Sequence, residues 1–325
     1  MSLETWEIRT MNDFYTLETE WLWYPYVPLG KVTIMQGDPG EGKTTLALNI
    51  AAMVSNGRMF GTDETFERGR VIYQTAEDGI SDTIKPRLAA AGADLSMIFN
   101  IDESSEPVSF SGGKLEEAIQ LVAPRLVILD PLQAYLGANV DMHRANEIRP
   151  AMSRLASLAK KYRCAIVLIG HMNKNMGVKS AYRGLGSIDI TAAARSVLVV
   201  AREKTDKQVR VVFHIKSSLA PEGETVAFRL GENNSFNFLG RHHADLDTLL
   251  AGGSNETMTS RAEDMICEML SGGECPAADI YSAAAEQGIG EKTVQYAKKR
   301  LGIRSKKVGD NWVWLLPSAS QVLKS

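Results

Sequence analysis

Residues 37–44 read Gly37-Asp-Pro-Gly-Glu-Gly-Lys-Thr44, which fits the pattern of Gly, any four residues, Gly, Lys, then Ser or Thr. An apolar run at residues 31–36 precedes this stretch, and a helical pattern begins at Thr44. Glycines in such a turn let backbone N–H groups point inward at phosphate oxygens, and the following helix adds the positive end of its dipole. The stretch therefore predicts a phosphate-binding loop for a nucleoside triphosphate, rather than an ordinary glycine-rich turn.

Two side chains of the loop have separate expected roles. Lys43 would reach the β and γ phosphates, and the Thr44 hydroxyl would bind Mg²⁺. The full set of expected nucleotide-binding residues is Gly37, Asp38, Pro39, Gly40, Glu41, Gly42, Lys43, Thr44 and Thr45.

The composition of the 325-residue chain is that of an ordinary globular protein. The net charge of −3 gives no evidence for or against nucleic acid, so any basic footprint has to be local. The three cysteines, Cys164, Cys267 and Cys275, form no zinc or disulfide pattern and suit a reducing cytoplasm. No apolar run approaches the roughly 18 residues that span a bilayer, so we expect a cytoplasmic protein without a membrane partner.

Two apolar runs end in acidic residues. Residues 70–76 form a short stretch rich in residues that favour β-strands, and Glu77 follows this stretch. At the carboxyl end of a parallel strand Glu77 would face the ligand and activate the attacking water, although a solvated acidic turn is the plainer alternative. Residues 125–130 form a continuous apolar run that ends on Asp130, as in a strand buried on both faces. Asp130 is expected to hold Mg²⁺ through its water shell.

A further apolar run at residues 164–170 ends on His171. At this strand end His171 would sense the γ-phosphate or relay its loss to the next loop. The alternative is a structural histidine without a part in catalysis.

Together these residues resemble the RecA-like ATPase core, and within it the plasmid replicative helicase RepA and its relatives among phage and mobile-element AAA-type ATPases. The resemblance covers about residues 15–240 and is carried by the order of the loop, Glu77, Asp130 and His171. The nearest matching stretches are Tyr73-Gln-Thr-Ala-Glu-Asp78, Gly170-His-Met-Asn-Lys174, Arg183-Gly-Leu-Gly-Ser187 and Ala192-Ala-Ala-Arg-Ser196. It implies an α/β fold with a mostly parallel sheet flanked by helices, ATP with Mg²⁺ at the loop, and a homo-oligomer, possibly a hexamer.

RecA-like hexamers complete their sites with a basic residue from the neighbouring subunit. Lys216 is similar to the lysine of a Lys-x-Arg pair in DnaB-type helicases, but the position expected to be arginine is Ser218. Arg195 is the other candidate, and its alternative role is a surface or sheet-edge salt bridge. If neither residue acts on a neighbour, hydrolysis does not require an oligomer.

The resemblance also implies that the loop after His171 faces a central channel and contacts single-stranded DNA. Basic side chains in this loop suit a track along the nucleic acid backbone, and the alternative is an ordinary solvated surface loop. The candidate DNA-binding residues here are Lys174, Lys179 and Arg183.

A composition change at residues 251–255 predicts a domain boundary, after a closing hairpin at residues 224–240. The expected organisation is an ATPase domain with its lead-in at 1–250, a linker at 251–257, a second domain at 258–318 and a tail at 319–325. A capping box at Ser260 opens the first of three predicted helices, the second beginning at Pro276 and the third at Glu291. Residues 304–307 and 311–316 then predict a two-stranded wing, so the second domain resembles a winged helix.

The charge in this second domain changes sign along the chain. The charged residues between 256 and 291 are all acidic except Arg261, whereas those between 292 and 307 are all basic. The third helix would bury Val294, Ala297 and Leu301 and leave its basic side free for a major groove or phosphates. Docking of a protein, or a merely solvated basic helix, is the alternative. The candidate duplex-DNA residues are Lys292, Gln295, Lys298, Lys299, Arg304, Lys306 and Lys307.

The sequence thus favours an ATP-hydrolysing DNA motor, a helicase or translocase of plasmid or phage type. One alternative is an ATP-dependent DNA-binding regulator or loader that does not unwind DNA. A second is a RadA-like recombination ATPase.

Overall fold

The computed structural model describes residues 9–137, 140, 144–171, 188–231, 235–246, 249, 258–270, 273–309 and 311–315. The chain divides into two compact units, Met1–Leu250 and Ala251–Ser325. The expected linker and tail lie outside the described residues. Within the described ranges, every helix is too short or too polar to cross a membrane.

The first unit contains a nine-stranded sheet flanked by helices, which confirms the expected α/β class. The strands of this unit are β1 (Trp21–Trp23), β2 (Val27–Pro28), β3 (Val32–Gly37), β4 (Val71–Thr75), β5 (Ile98–Phe99), β6 (Leu126–Asp130), β7 (Ala165–His171), β8 (Ser196–Arg202), β9 (Val209–Ser217), β10 (Val226–Leu230) and β11 (Phe236–Arg241). Its helices are α1 (Lys43–Asn56), α2 (Lys85–Ala90), α3 (Lys114–Val122), α4 (Ala145–Tyr162) and α5 (Ile188–Ala193). One turn of π-helix, Ile80–Ile84, leads into α2.

The order of the large sheet is β11-β10-β9-β8-β3-β7-β6-β4-β5. The six strands from β8 to β5 are parallel, and β9, β10 and β11 are added antiparallel at one edge. Two strands, β7 and β6, therefore separate the strand before the phosphate loop from β4. Because parallel strands end at the same edge of a sheet, the segments after β3, β4, β6 and β7 all meet at that edge.

The central strands of this sheet, β3, β6 and β7, are buried along almost their whole length because helices cover both faces. Met35 of β3 packs into the cluster that contains the buried face of α1, whereas the adjacent Ile34 packs with Met152 and Leu155 of α4. The aromatic lead-in is also part of this core, since Trp23 and Tyr26 are both buried.

The described residues of the second unit form α6 (Met258–Leu270), β12 (Cys275–Pro276), α7 (Ala277–Glu286), α8 (Glu291–Arg300), β13 (Arg304–Val308) and β14 (Asn311–Leu315). Its three strands pair in the order β12-β14-β13, around a core that includes Ile266, Val294 and Trp314. The predicted start of the first helix is wrong: α6 begins at Met258, so Ser260 lies inside the helix and is not its N-cap. The winged-helix assignment stays a prediction.

Candidate functional site: the edge of the sheet beside the phosphate loop

The phosphate loop connects β3 to α1 as the sequence pattern predicts. Gly40 and Gly42 have φ of 78° and 88°, in the left-handed region that glycine enters without strain. Gly42 immediately precedes α1, so the unpaired N–H groups at the start of this helix face the loop. The backbone thus has the form of an anion-binding turn.

Lys43 is buried at the base of this loop, with 4% of its surface exposed. Its Nζ donates to the carbonyl oxygens of Gly37 and Asp38, each at 2.8 Å. Burial lowers the pKa of Lys43, and nearby carboxylates, chiefly that of Asp130, partly offset this effect. The ammonium group is therefore held by loop carbonyls that phosphate oxygens can replace.

Asp130 lies at the end of β6 and is joined to the loop through Thr44. The Thr44 hydroxyl donates to Asp130 Oδ2 at 2.8 Å, and the buried Tyr73 hydroxyl donates to the same oxygen at 3.0 Å. Burial raises the pKa of Asp130, while these two hydrogen bonds act in the opposite direction. Sequence reasoning did not assign a role to Tyr73, whose side chain lies on the strand that precedes Glu77.

Glu77 follows β4 and His171 ends β7, the two strands on either side of β6. His171 Nε2 lies 3.6 Å from Glu77 Oε1, so the two side chains meet across the end of the strand that carries Asp130. Glu77 is 60% exposed, which leaves its carboxylate open to water. The adjacent Asp78 is instead directed to Arg87, at 3.8 Å.

The two candidates for a residue acting on a neighbour lie far from this site within the chain. Arg195 precedes β8, and its backbone N–H bonds to Val32 at the start of β3, at the opposite end of the strand from the loop. Lys216 pairs with the beginning of β8, and its Nζ donates to the carbonyls of Thr191 and Ala192, each at 2.8 Å. Neither residue reaches the phosphate loop of its own chain.

Arg202, at the opposite end of β8, contacts the loop directly and was not identified from the sequence. Its Nη2 donates to Gly40 O at 3.1 Å and lies 3.5 Å from Glu41 Oε1. Because β8 is parallel to β3 and adjacent to it, the end of β8 had to lie beside the loop. An arginine at the end of that strand was the available signal.

The three predicted DNA-binding residues of the loop after β7, Lys174, Lys179 and Arg183, lie outside the described residues. In the second unit, Lys292, Lys299 and Lys307 are exposed. Two others, predicted to be largely free, also have contacts within the unit. Lys298 Nζ lies 4.3 Å from the centre of the Trp314 ring, and the Gln295 amide donates to the Tyr281 hydroxyl.

The last two basic candidates of the second unit lie on β13. Lys306 Nζ lies 3.4 Å from Glu274 Oε1. Arg304 also interacts with another group of the protein. The basic surface still open to a ligand is thus narrower than the run of charges suggests.

The donor set at the loop fits a magnesium nucleotide. Thr44 and Asp130 offer hard oxygen ligands, and Mg²⁺ is usually held by one or two protein groups plus phosphates and water. Among the described residues, no cluster of three or more His, Cys, Asp or Glu side chains is suited to hold a metal. Lys43 and the loop N–H groups supply the positive charge that the phosphates need.

Comparison with curated proteins finds relatives of low identity. The DNA repair protein RadA of Listeria monocytogenes is 26% identical over 149 residues, which are 45% of this chain and 28% of that protein. The protein of the same name from Mycobacterium tuberculosis is 25% identical over 63% of this chain and 38% of its own length. That of Bacillus subtilis is 21% identical over 72% of this chain and 46% of its own. The chain therefore spans less than half the length of these relatives.

A family model described as an AAA domain matches residues 3–177, the part of the chain that contains the phosphate loop, Glu77, Asp130 and His171. This match covers more than half of the 325 residues, and the chain belongs to the AAA domain family.

Proposed function

We propose that this chain is a RecA-type ATPase that couples hydrolysis of ATP to action on DNA. The observation that carries the proposal is the meeting of four segments at one sheet edge: Lys43 and Thr44 on the loop, Asp130 bound to Thr44, and Glu77 beside His171. The loop, Asp130 and Glu77 lie at the ends of three separate strands. This arrangement fits nucleotide hydrolysis better than simple anion binding.

In this proposal each side chain has one task. Lys43 leaves the carbonyls of Gly37 and Asp38 and binds the phosphates, while Thr44 and Asp130 hold Mg²⁺. The metal, when bound, offsets negative charge on the phosphate oxygens. Glu77 accepts a proton from a water molecule that it orients, and His171, 3.6 Å away, reports the state of the γ-phosphate to the segment after β7.

A ring or filament would supply the missing basic residue. Arg195 and Lys216 lie away from their own loop, so either one can act only on the site of a neighbouring copy. A homo-oligomer, possibly a hexamer, is therefore part of the proposal. Light scattering with and without ATP and single-stranded DNA tests it, and a monomer under every condition would contradict it.

Action on DNA is supported by the relatives, which carry the name DNA repair protein RadA. It is also supported by the basic surface on α8 and the β13–β14 hairpin, which we propose to be a winged helix that contacts duplex DNA. Lys174, Lys179 and Arg183 are proposed to contact single-stranded DNA.

The finer proposal is a helicase or translocase of plasmid or phage type. A RadA-like recombination ATPase is the second candidate, favoured by the names of the curated relatives. Strand displacement on a forked duplex separates them: unwinding that needs ATP supports the helicase, whereas ATPase activity stimulated by single strands without unwinding supports the second candidate or a regulator.

The test of the ATPase itself is Glu77→Gln, with Asp78→Asn as the matched control in the same turn. We expect Glu77→Gln to lower kcat by about 10²-fold or more while ATP binding persists, because only the proton acceptor is lost. Asp78→Asn should change kcat by less than about twofold. Equal losses in both variants would contradict the role given to Glu77.

A further inference from the structure

A cleft opens beside the phosphate loop, between α1, α2 and the start of β11. It is lined by Thr45, Leu48, Asn49, Arg87, Ala90, Ala91 and Phe236. Thr45 belongs to the turn that receives the phosphates, so the cleft is continuous with the proposed nucleotide site. We propose that this cleft binds the nucleobase and that Asn49 makes the site prefer adenine; the inference rests on the proposed ATPase function.

The position of Asn49 follows from the geometry of α1. Residues four apart lie on the same face of a helix, so Asn49 is about one turn, roughly 6 Å, beyond Thr45. A nucleotide whose phosphates end near Thr45 has its sugar and base further along this face. The cleft therefore begins where the phosphate site ends.

The orientation of the Asn49 amide is fixed by a bond within the helix. Its Nδ2 donates to the carbonyl oxygen of Thr45 at 2.8 Å. Because a carbonyl can only accept, this bond identifies the amide nitrogen and leaves Oδ1 as the free acceptor. Adenine presents an amino group at carbon 6, which donates, whereas guanine and hypoxanthine present a carbonyl there, which accepts. A base that turns carbon 6 towards Asn49 Oδ1 is therefore favoured when it is adenine and disfavoured when it is either 6-oxo base.

Phe236 provides a flat apolar wall that is held from behind. Its ring stacks on Phe228 with centroids 5.0 Å apart and also meets the edge of Phe60. Phe236 is only partly buried, and it lines the cleft. A base packed on this ring gains stacking energy whatever its identity.

The opposite side of the cleft is shaped by α2. Ala90 and Ala91 are small and leave space, and the Arg87 guanidinium lies 3.8 Å from Asp78. Phe236 thus accounts for affinity for any nucleobase, and Asn49 accounts for the preference for adenine.

The test measures binding of Mg²⁺-ATP, Mg²⁺-GTP and Mg²⁺-ITP by titration calorimetry to the full chain and to four variants. We expect the unmodified protein to prefer ATP by about tenfold or more. Asn49→Ala should weaken ATP by about fivefold to tenfold, the effect of one hydrogen bond, and bring ATP and ITP within about twofold of each other. Alanine is a good helix former, so this variant keeps α1 intact.

Phe236→Leu should weaken all three nucleotides by a similar factor, because it removes stacking but no polar contact. Phe238→Leu is its matched control: both rings lie on β11 and pack on Phe60, but Phe238 does not line the cleft. We expect Phe238→Leu to bind like the unmodified protein.

Lys43→Ala separates failure of the inference from failure of the proposed function. If the unmodified protein binds ATP in a Lys43-dependent way but does not prefer it over ITP, or if Asn49→Ala keeps the preference, the base cleft is overturned and the ATPase stands. If the unmodified protein binds none of the nucleotides, or Lys43→Ala binds them equally well, the proposed function itself fails.

Discussion

The hydroxyl of Tyr73 is buried and donates a hydrogen bond to the carboxylate of Asp130. It shares Asp130 Oδ2 with Thr44, and its side chain is 1% exposed. A hydrogen bond to the charged form lowers the pKa of an acid, whereas the burial of Asp130 raises it. Tyr73 therefore favours the ionised form of Asp130, against the effect of burial.

Tyr73→Phe should raise the pKa of Asp130, since one of its two donors is lost. The expected result is a fall of about threefold to tenfold in ATP hydrolysis at neutral pH and an acid limb of the pH–rate profile that moves to higher pH. Tyr26→Phe, which removes a donor to Glu224 O away from the site, is the control. An unchanged acid limb in Tyr73→Phe would show that this hydroxyl does not act on Asp130.

His214 is a second buried polar residue, and it predicts how stability depends on pH. Its Nδ1 accepts from Gly223 N–H at 2.8 Å, and its Nε2 lies 3.0 Å from the Ser196 hydroxyl, so the neutral ring fits its surroundings. Burial lowers the pKa of His214 below its ordinary value of 6.5. A depressed histidine pKa means that the unfolded chain takes up the proton first, so stability is fully present above about pH 6.5 and is lost as pH falls below it.

The urea midpoint should therefore fall between pH 7 and pH 5 in the unmodified protein. In His214→Gln, whose amide does not titrate, the midpoint should change less over the same range. His243→Gln, at an exposed position, should keep the full pH dependence. Equal slopes in the two variants would remove His214 as the cause.

At the scale of the elements, the closest approach in the site is between β3 and β8. A Cβ built on Gly37 would lie 2.2 Å from the carbonyl oxygen of Val200, a backbone atom that cannot move aside. The lack of room for a side chain therefore explains the glycine at position 37. Its backbone conformation does not, because Gly37 is not among the glycines with positive φ. Gly92 is the opposite case, with φ of 73° and no atom within 4 Å of a built Cβ.

Gly37→Ala should cost about 1–3 kcal/mol of stability, the usual cost of overpacking, and should weaken ATP binding because the loop begins at this residue. Gly92→Ala should cost only the backbone strain of about 1 kcal/mol and leave ATP binding unchanged. Urea denaturation and nucleotide titration of both variants check this. A Gly37→Ala protein as stable as Gly92→Ala would mean that β3 and β8 do not approach so closely.

Some elements could be predicted from sequence and others could not, for physical reasons. Strands β6 and β7 are apolar up to their last residues because helices cover both their faces, and such runs are visible in a sequence. The strands β5 and β12 have two residues each, too few for any periodicity. The start of α6 was placed at Ser260 because a capping pattern stands there, whereas the helix begins two residues earlier, at Met258.

At the scale of the whole molecule, the candidate site was predictable as far as strand ends determine it. Parallel strands gather their carboxyl ends, so Glu77, Asp130 and His171 could be expected near Lys43 before any coordinates. The contacts of Tyr73 and Arg202 depend on which strands are neighbours and which way each side chain faces. Strand order does not follow from a sequence motif, and this is why both residues were missed.

The two compact units carry different proposed tasks, and this makes their functions separable. The proposed ATPase site lies in the first unit, whereas the exposed lysines Lys292, Lys299 and Lys307 lie in the second. Each lysine that contacts a phosphate releases a counterion and adds about 0.9 to the slope of log affinity against log salt. Reversing three charges should therefore change duplex binding without changing basal hydrolysis.

The triple variant Lys292→Glu, Lys299→Glu, Lys307→Glu should lower duplex DNA affinity by at least about tenfold near 100 mM salt and reduce the salt slope by about two to three. Basal ATPase activity without DNA should stay within about twofold. The control reverses three exposed lysines of the first unit, Lys160, Lys204 and Lys207, which makes the same change in net charge. If both variants lose the same affinity, the effect comes from net charge alone, and the basic surface of the second unit is not the DNA contact. Anisotropy of a labelled duplex over a salt series decides between these outcomes.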